Sequence, residues 1–298
     1  MARIAFVSSL VFALIAVSAM LWQHRRYAGV RRNIAQDRQP AFHSADVFHV
    51  LLFLTTAPGA DVVEELRTLR RATDGSDATW IYAGKAILAP LRSAQIGQKD
   101  WSAVVLLQYP SRAASDRHAE SEEMRRALGR FGEVYAQGFQ RWPFVSAAIP
   151  QVLLAMRAVQ IARGRTSHFP FQRARSSRAL PEAEAHVRRL RAETELGAHA
   201  VVVVNLVKEG TPEQRAADRR YGVSMFGAMA EGGYGPLHVG RAVRIERNYD
   251  FDRIALVFYP GVDFFADMVQ SEFFQDIYGD KQLGDTQAVI TVPILDRL

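Results

Sequence analysis

The chain has 298 residues, 49% of them hydrophobic, enough for one large domain or two ordinary ones around a substantial core. It contains no cysteine, which excludes disulfides, thiolate zinc sites, iron–sulfur clusters and a cysteine nucleophile. The formal charge is +6, almost all of the excess supplied by arginine, so anionic lipid and nucleic acid are the partners to weigh, and the positions of the arginines decide between them.

The first element is apolar. Ile4 to Trp22 runs nineteen residues without a charge, a length that crosses a hydrocarbon core as a helix. Val17-Ser18-Ala19 offers the small residues a signal peptidase needs, but the apolar run continues through Met20, Leu21 and Trp22, longer than a usual signal core. Residues 1–24 are therefore expected to be a transmembrane anchor. Residues 25–44 follow as a basic linker whose Arg25, Arg26, Arg31 and Arg32 are candidates for contact with the membrane surface. This charge asymmetry places the body on the cytoplasmic side of the inner (plasma) membrane as a single-pass protein; export after signal cleavage is the alternative.

The next elements repeat. In residues 45–155, Val47 to Leu54 predicts a strand, and Val62, Val63, Leu66 and Leu69 after Asp61 predict a helix. Tyr82 to Ala86 lies in strand two, and Asp100 to Pro110, "DWSAVVLLQYP", is strand three. A second helix starts near Ser111, a good N-cap type, and Val145 to Leu153 is read as the closing strand. In residues 198–298 the same order returns. His199 to Leu206 is a strand, Pro212 opens a helix where its missing N–H is harmless, and His238 to Ala242 lies in strand two. "DFDRIALVFYP", Asp250 to Pro260, echoes strand three. A helix near Asp263 and a strand at Ala288 to Leu295 complete the unit. Each half is βαββαβ, the ferredoxin-like order.

The segment Gly232 to Ile277 carries Gly-Gly before strand two, a glycine within it, Tyr-Pro after strand three and Ser-Glu-Phe inside helix two. In these features it resembles the bacterial domain-of-unknown-function family numbered 1330, of the dimeric α/β-barrel superfamily; the first half resembles it more loosely. The resemblance implies an α+β fold in which two ferredoxin-like sheets, here on one chain, close into a barrel as an intramolecular pseudo-dimer. It implies no activity, although relatives in that superfamily include cofactor-free monooxygenases, isomerases and haem proteins.

Between the halves, residues 156–197 read as a basic linker and a helix over Leu180 to Leu196. From Val134 to Pro181 there is no acidic residue, and Gly164 to Pro181 is polar, basic and rich in breakers, so it reads as exposed. Its charge suits an anionic leaflet, or is simply solvated. No nucleic-acid motif with interleaved aromatics is present, so no nucleic acid is expected. A second span over Phe144 to Ile161 is disfavoured by Pro150 and Arg157.

The default pocket is the space between the paired sheets. Alternation puts His49, Leu51 and Phe53 on one face, matched to Val201, Val203 and Asn205. Tyr82 and His238 are equivalent, beside Gly84 and Gly240, which leave room for a ligand or permit a bulge. The ligand-binding candidates are His49, Tyr82, Asn205, His238 and Arg253, with His238 the candidate general base. Asp280, Lys281 and Asp285 are placed at the barrel mouth or in a plain turn. No metal-ligand spacing, phosphate loop or nucleophile elbow is present, and no cofactor is expected. Two functions follow: a membrane-tethered binding or structural module, or a cofactor-free oxygenase or isomerase acting on an apolar substrate. A solidly packed barrel favours the module; a cavity lined by His238 and Asn205 favours the enzyme.

Overall fold

Near-continuous apolar runs that must bury both faces become two antiparallel sheets. The structure, a computed structural model, describes residues 10–19, 21, 22, 25, 43–164, 168–175, 200–245 and 249–298. A ten-residue apolar helix, α1 (Leu10–Ala19), comes first, with its large side chains exposed. The first repeat is β1 (Phe48–Thr55), α2 (Val62–Thr73), β2 (Thr79–Leu91), β3 (Ala103–Tyr109), α3 (Arg112–Ala119), α4 (Glu122–Leu128) and β4 (Glu133–Arg141). Helix α5 (Val145–Ala162) follows. The second repeat is β5 (Val201–Lys208), α6 (Pro212–Gly232), β6 (Gly235–Val243), β7 (Arg253–Tyr259), α7 (Val262–Val269), α8 (Glu272–Tyr278) and β8 (Asp285–Pro293).

The strand order is β4-β1-β3-β2 in one repeat and β8-β5-β7-β6 in the other, and the edges join β2 to β8 and β4 to β6. All pairings are antiparallel and the eight strands form a closed barrel, which removes every sheet edge. The expected α+β tandem of ferredoxin-like units is therefore present in the body. Caps fix the helix starts. Asp61, Ser111, Ser121 and Ser271 each accept a backbone N–H of the first turn, and Thr211 and Gln214 form a capping box ahead of Pro212. The caps at Ser121 and Ser271 split the expected second helix of each repeat into two short ones.

Three expectations need correction. The closing strand of the first repeat is β4, not 145–153. β4 carries Tyr135, Gln137 and Phe139 inward, and the buried Gln137 hides its apolar alternation. Residues 145–162 are helical because their buried positions, Ile149, Leu153 and Gln160, recur at helical spacing, which overrides Pro150. Second, the match between the two first strands is displaced by one residue. Phe48 pairs with Tyr109 and Val201 with Tyr259, so His49 corresponds to Val202, and Asn205 faces the opposite way from His49. A run of four valines gives no mark of phase, and a slip of one residue exchanges the faces. Third, residues 168–175 are not simply exposed. The Phe169 and Phe171 rings pack on Phe264, Phe171 also stacks near Phe273, and Arg173 bridges to Ser271. The helix expected at 180–196 lies outside the described residues.

Candidate functional site

The barrel interior is built from one face of every strand. Leu51, Phe53, Val104, Leu106, Phe139, Val204, Leu206, Leu256 and Val289 point inward and none is accessible to solvent. One end is closed by Trp101 and Tyr249, whose rings lie 5.6 Å from Phe53 and 4.7 Å from Tyr135. At the other end the Arg141 Nη2 donates to Ser146 Oγ at 2.6 Å, beside His43 and His49. Of the residues nominated from sequence, His49, Tyr82 and His238 lie in this interior. The Tyr82 hydroxyl donates to Thr291 Oγ1 at 2.5 Å, and Thr291 donates to the Val202 carbonyl. His49 Nε2 is 3.2 Å from Gln108 Oε1. Burial pushes the Tyr82 hydroxyl far above its ordinary range and lowers His49 to about 3, with Arg141 adding to the histidine shift. Tyr82 is thus satisfied in the core, and His49 is bonded through Nε2 and held neutral.

Asn205 and Arg253 face the other way, towards the helices, and there the structure is hollow. A cavity of about 760 Å³ separates the sheet of the second repeat from α6, α7 and α8. Its floor is Val203, Asn205, Ala255, Val257 and Ile290; Met225, Phe226 and Met229 cover it from α6, and Phe265, Met268 and Phe274 from α7 and α8. The matching layer of the first repeat is solid, filled by Leu52, Trp80, Val105, Leu107, Leu66 and Leu69. Strand pairing sets the substitutions: Asn205 stands where the first repeat has Leu52, Pro236 where it has Trp80, Ala255 for Val105 and Val257 for Leu107. Each removes volume on the sheet side, and together they open the floor of the cavity. This volume loss was the available signal in the sequence, and it becomes legible only after the strands are aligned in the register the pairing dictates.

The cavity mouth is polar. Arg253 Nη2 is 2.8 Å from Asp218 Oδ2 and its Nε 3.5 Å from Glu209 Oε1. Arg215 donates to the Gly210 carbonyl at 2.9 Å. Arg219 also lines the mouth and pairs with no carboxylate among the described residues. Lys281, one of the loop residues expected at the barrel mouth, stands here instead, its Nζ 5.7 Å from the Tyr221 ring centroid. Of its neighbours, Asp280 pairs with Arg220, and Asp285 binds Ser93 and Gln95 of the β2–β3 loop. Burial raises the Tyr221, Tyr259 and Tyr278 phenols and lowers the Lys281 ammonium, against which Asp218 acts. Tyr221, Tyr259 and Tyr278 are thus protonated at neutral pH and available as hydrogen-bond donors to a bound molecule. No group of three or more metal-ligating side chains occurs among the described residues.

No protein-family model matches the chain, and no curated protein matches it. Solved structures align with it at low identity. An anthrone oxidase-like protein is 11% identical over 85% of this chain and 92% of its own, with a TM-score of 0.44. A variant of the chlorite dismutase of Candidatus Nitrospira defluvii is 9% identical over 87% and 97%, TM-score 0.43. A candidate monooxygenase from Fusobacterium nucleatum is 10% identical over 84% and 94%, TM-score 0.41. At these values the likeness says nothing about the chemistry of this chain.

Proposed function

We propose that this protein is a membrane-tethered binding module that holds a small apolar or amphiphilic ligand in the sheet–helix cavity of its second repeat. The observation that carries the reading is the 760 Å³ apolar cavity at a place where the first repeat is packed solid. Arg215, Arg219 and Lys281 at the mouth suit an anionic or polar head on such a ligand. The tether is the Ile4 to Trp22 segment, of which α1 presents apolar side chains to its surroundings, followed by an exposed Arg25. In this reading the chain is a single-pass inner-membrane protein with its body in the cytoplasm; Arg26, Arg31 and Arg32, which would also meet the leaflet, lie outside the described residues. Kinship of the second repeat with the domain-of-unknown-function family numbered 1330 belongs to the same proposal, supported by the Gly-Gly turn before β6, Tyr-Pro after β7 and the Ser-Glu-Phe cap of α8.

The test is to raise the cavity floor with residues of the first repeat. The full chain and the triple variant Asn205→Leu, Ala255→Val, Val257→Leu are purified identically, and their bound small molecules are extracted and identified by mass spectrometry. A molecule held by the wild type and at least about tenfold depleted in the folded variant supports the reading, since larger floor side chains intrude on the bound molecule. Equal retention, or no retained molecule in either, overturns it. The second reading, a cofactor-free oxygenase or isomerase, is favoured by Lys281 beside Tyr221 at the rim of an apolar space. Under it, Lys281→Met abolishes turnover of the bound molecule even at ligand concentrations that saturate the variant.

A further inference from the structure

Helix α5 has a solvent face that carries no polar residue. Phe144, just ahead of it, and Ala148, Val152, Ala155, Val159 and Ala162 recur every three or four residues and are all exposed. Phe144 is 65% exposed, Val152 47% and Val159 48%, and they are flanked by Ile161 at 65% and Trp142 at 73%. A surface helix of a water-soluble body shows the reverse, with polar residues outward. The opposite face of α5 is fixed to the body: Ile149 and Leu153 are buried, and Gln160 Nε2 donates to the Gly227 carbonyl of α6 at 3.0 Å. Although α5 has the length and composition of a span, this attachment makes it a helix lying along the surface of the protein.

We propose that this face of α5, with Trp142 and Phe144, lies in the surface of an anionic lipid bilayer. Three observations select a bilayer. The run from Val134 to Pro181 contains no acid, while Arg163 at the C-terminal end of the stripe and Arg173 and Arg175 beyond it are exposed, a local excess of positive charge that suits anionic headgroups. Trp142 supplies the aromatic anchor of the interfacial zone. A second copy of the chain would set these arginines against their own kind. Val152 and Met156 of the same helix also line the second-repeat cavity, as does Val223, 62% exposed on α6. The docked face therefore turns the cavity mouth towards lipid, from which an amphiphile enters without crossing water. That last consequence rests on the binding function proposed above; the docking does not.

The absence of cysteine makes the test direct. Full-length single-cysteine variants Val152→Cys, Val159→Cys and, on α4, Arg125→Cys are labelled with an environment-sensitive nitrobenzoxadiazole fluorophore. They are reconstituted in phosphatidylethanolamine–phosphatidylglycerol vesicles, with and without doxyl groups on the acyl chains. Docking gives several-fold quenching by doxyl lipid at 152 and 159 and none at 125. Water-like emission at 152 and 159, unaffected by doxyl lipid, overturns the proposal. Blue-shifted but unquenched emission there also overturns it, and identifies a protein surface, a second copy or another segment of the chain, as what covers α5. The readout is unchanged by whether the cavity holds a ligand, so failure of one proposal is distinguishable from failure of the other.

Discussion

Three charged or titratable side chains meet at one end of the barrel, and their burial makes acid a specific threat to the fold. Arg141 is 4% exposed and keeps its charge, and the two histidines beside it are held neutral. Burial, and then Arg141, lower His43 to about 4 and His49 to about 3 from an ordinary 6.5. Between about pH 6.5 and pH 4 the unfolded chain takes up protons that the folded chain refuses. Stability is therefore full above pH 6.5 and falls as the pH drops through this window, at up to about 1.4 kcal/mol per pH unit for each histidine. Chemical denaturation of the full chain at neutral pH and at about pH 5 should show a lower midpoint in acid, and His49→Leu should reduce that difference. An equal pH dependence in wild type and variant would contradict this account. Histidine was visible in the sequence as a polar residue in an apolar strand, but its role was not. A lone strand histidine reads alike as a ligand, a base or a core residue; the burial that mainly decides the matter, and the guanidinium that adds to it from ninety-two residues away, come from contacts distant in the chain.

Elements were the most legible level, because each is specified by neighbours in sequence. Asp61, Ser111 and Pro212 mark helix starts, and near-continuous apolar, β-branched runs mark β1, β3, β5 and β7. β4 was misplaced because Gln137 occupies an inward position and breaks the apolar alternation. The glycines of strand two were read as room for a ligand or a bulge, and the structure gives them a different use at the seams. A methyl group on Gly84 would meet Thr291 Cβ at 2.8 Å, and one on Gly240 would meet Phe139 at 2.6 Å and Arg141 Cα at 3.0 Å. Both positions admit the adjacent strand of the other repeat. Gly240→Ala should cost roughly 1–3 kcal/mol, because backbone of β4 must move. Gly222→Ala, in α6 with nothing near the added methyl, should instead stabilise by about 1 kcal/mol. Thermal denaturation of both variants checks the contrast, and equal shifts would sink it.

Across the whole molecule the repeats share one interior. Leu51 and Phe53 of the first repeat belong to the same core as Val202, Val204, Leu256 and Val289 of the second, and the two seams close that core on both sides. Neither sheet can expose its inward face alone without losing burial worth about 25 cal/mol per Å². The body should thus unfold in a single transition, with calorimetric and van't Hoff enthalpies equal; two resolved transitions would show that the repeats are independent. The sequence by itself determined the duplication and most of the element order, because apolar runs, caps and internal repetition are local or self-referential signals; closure into a barrel was what the family resemblance implied. Only the tertiary structure decided which face of each strand looks inward, since four successive valines carry no phase and pairing with β7 and β8 must supply it. From that phase came the location of the cavity between sheet and helices. The apolar outer stripe of α5 depended likewise on what packs against its other side, and that is a property of contacts distant in the chain.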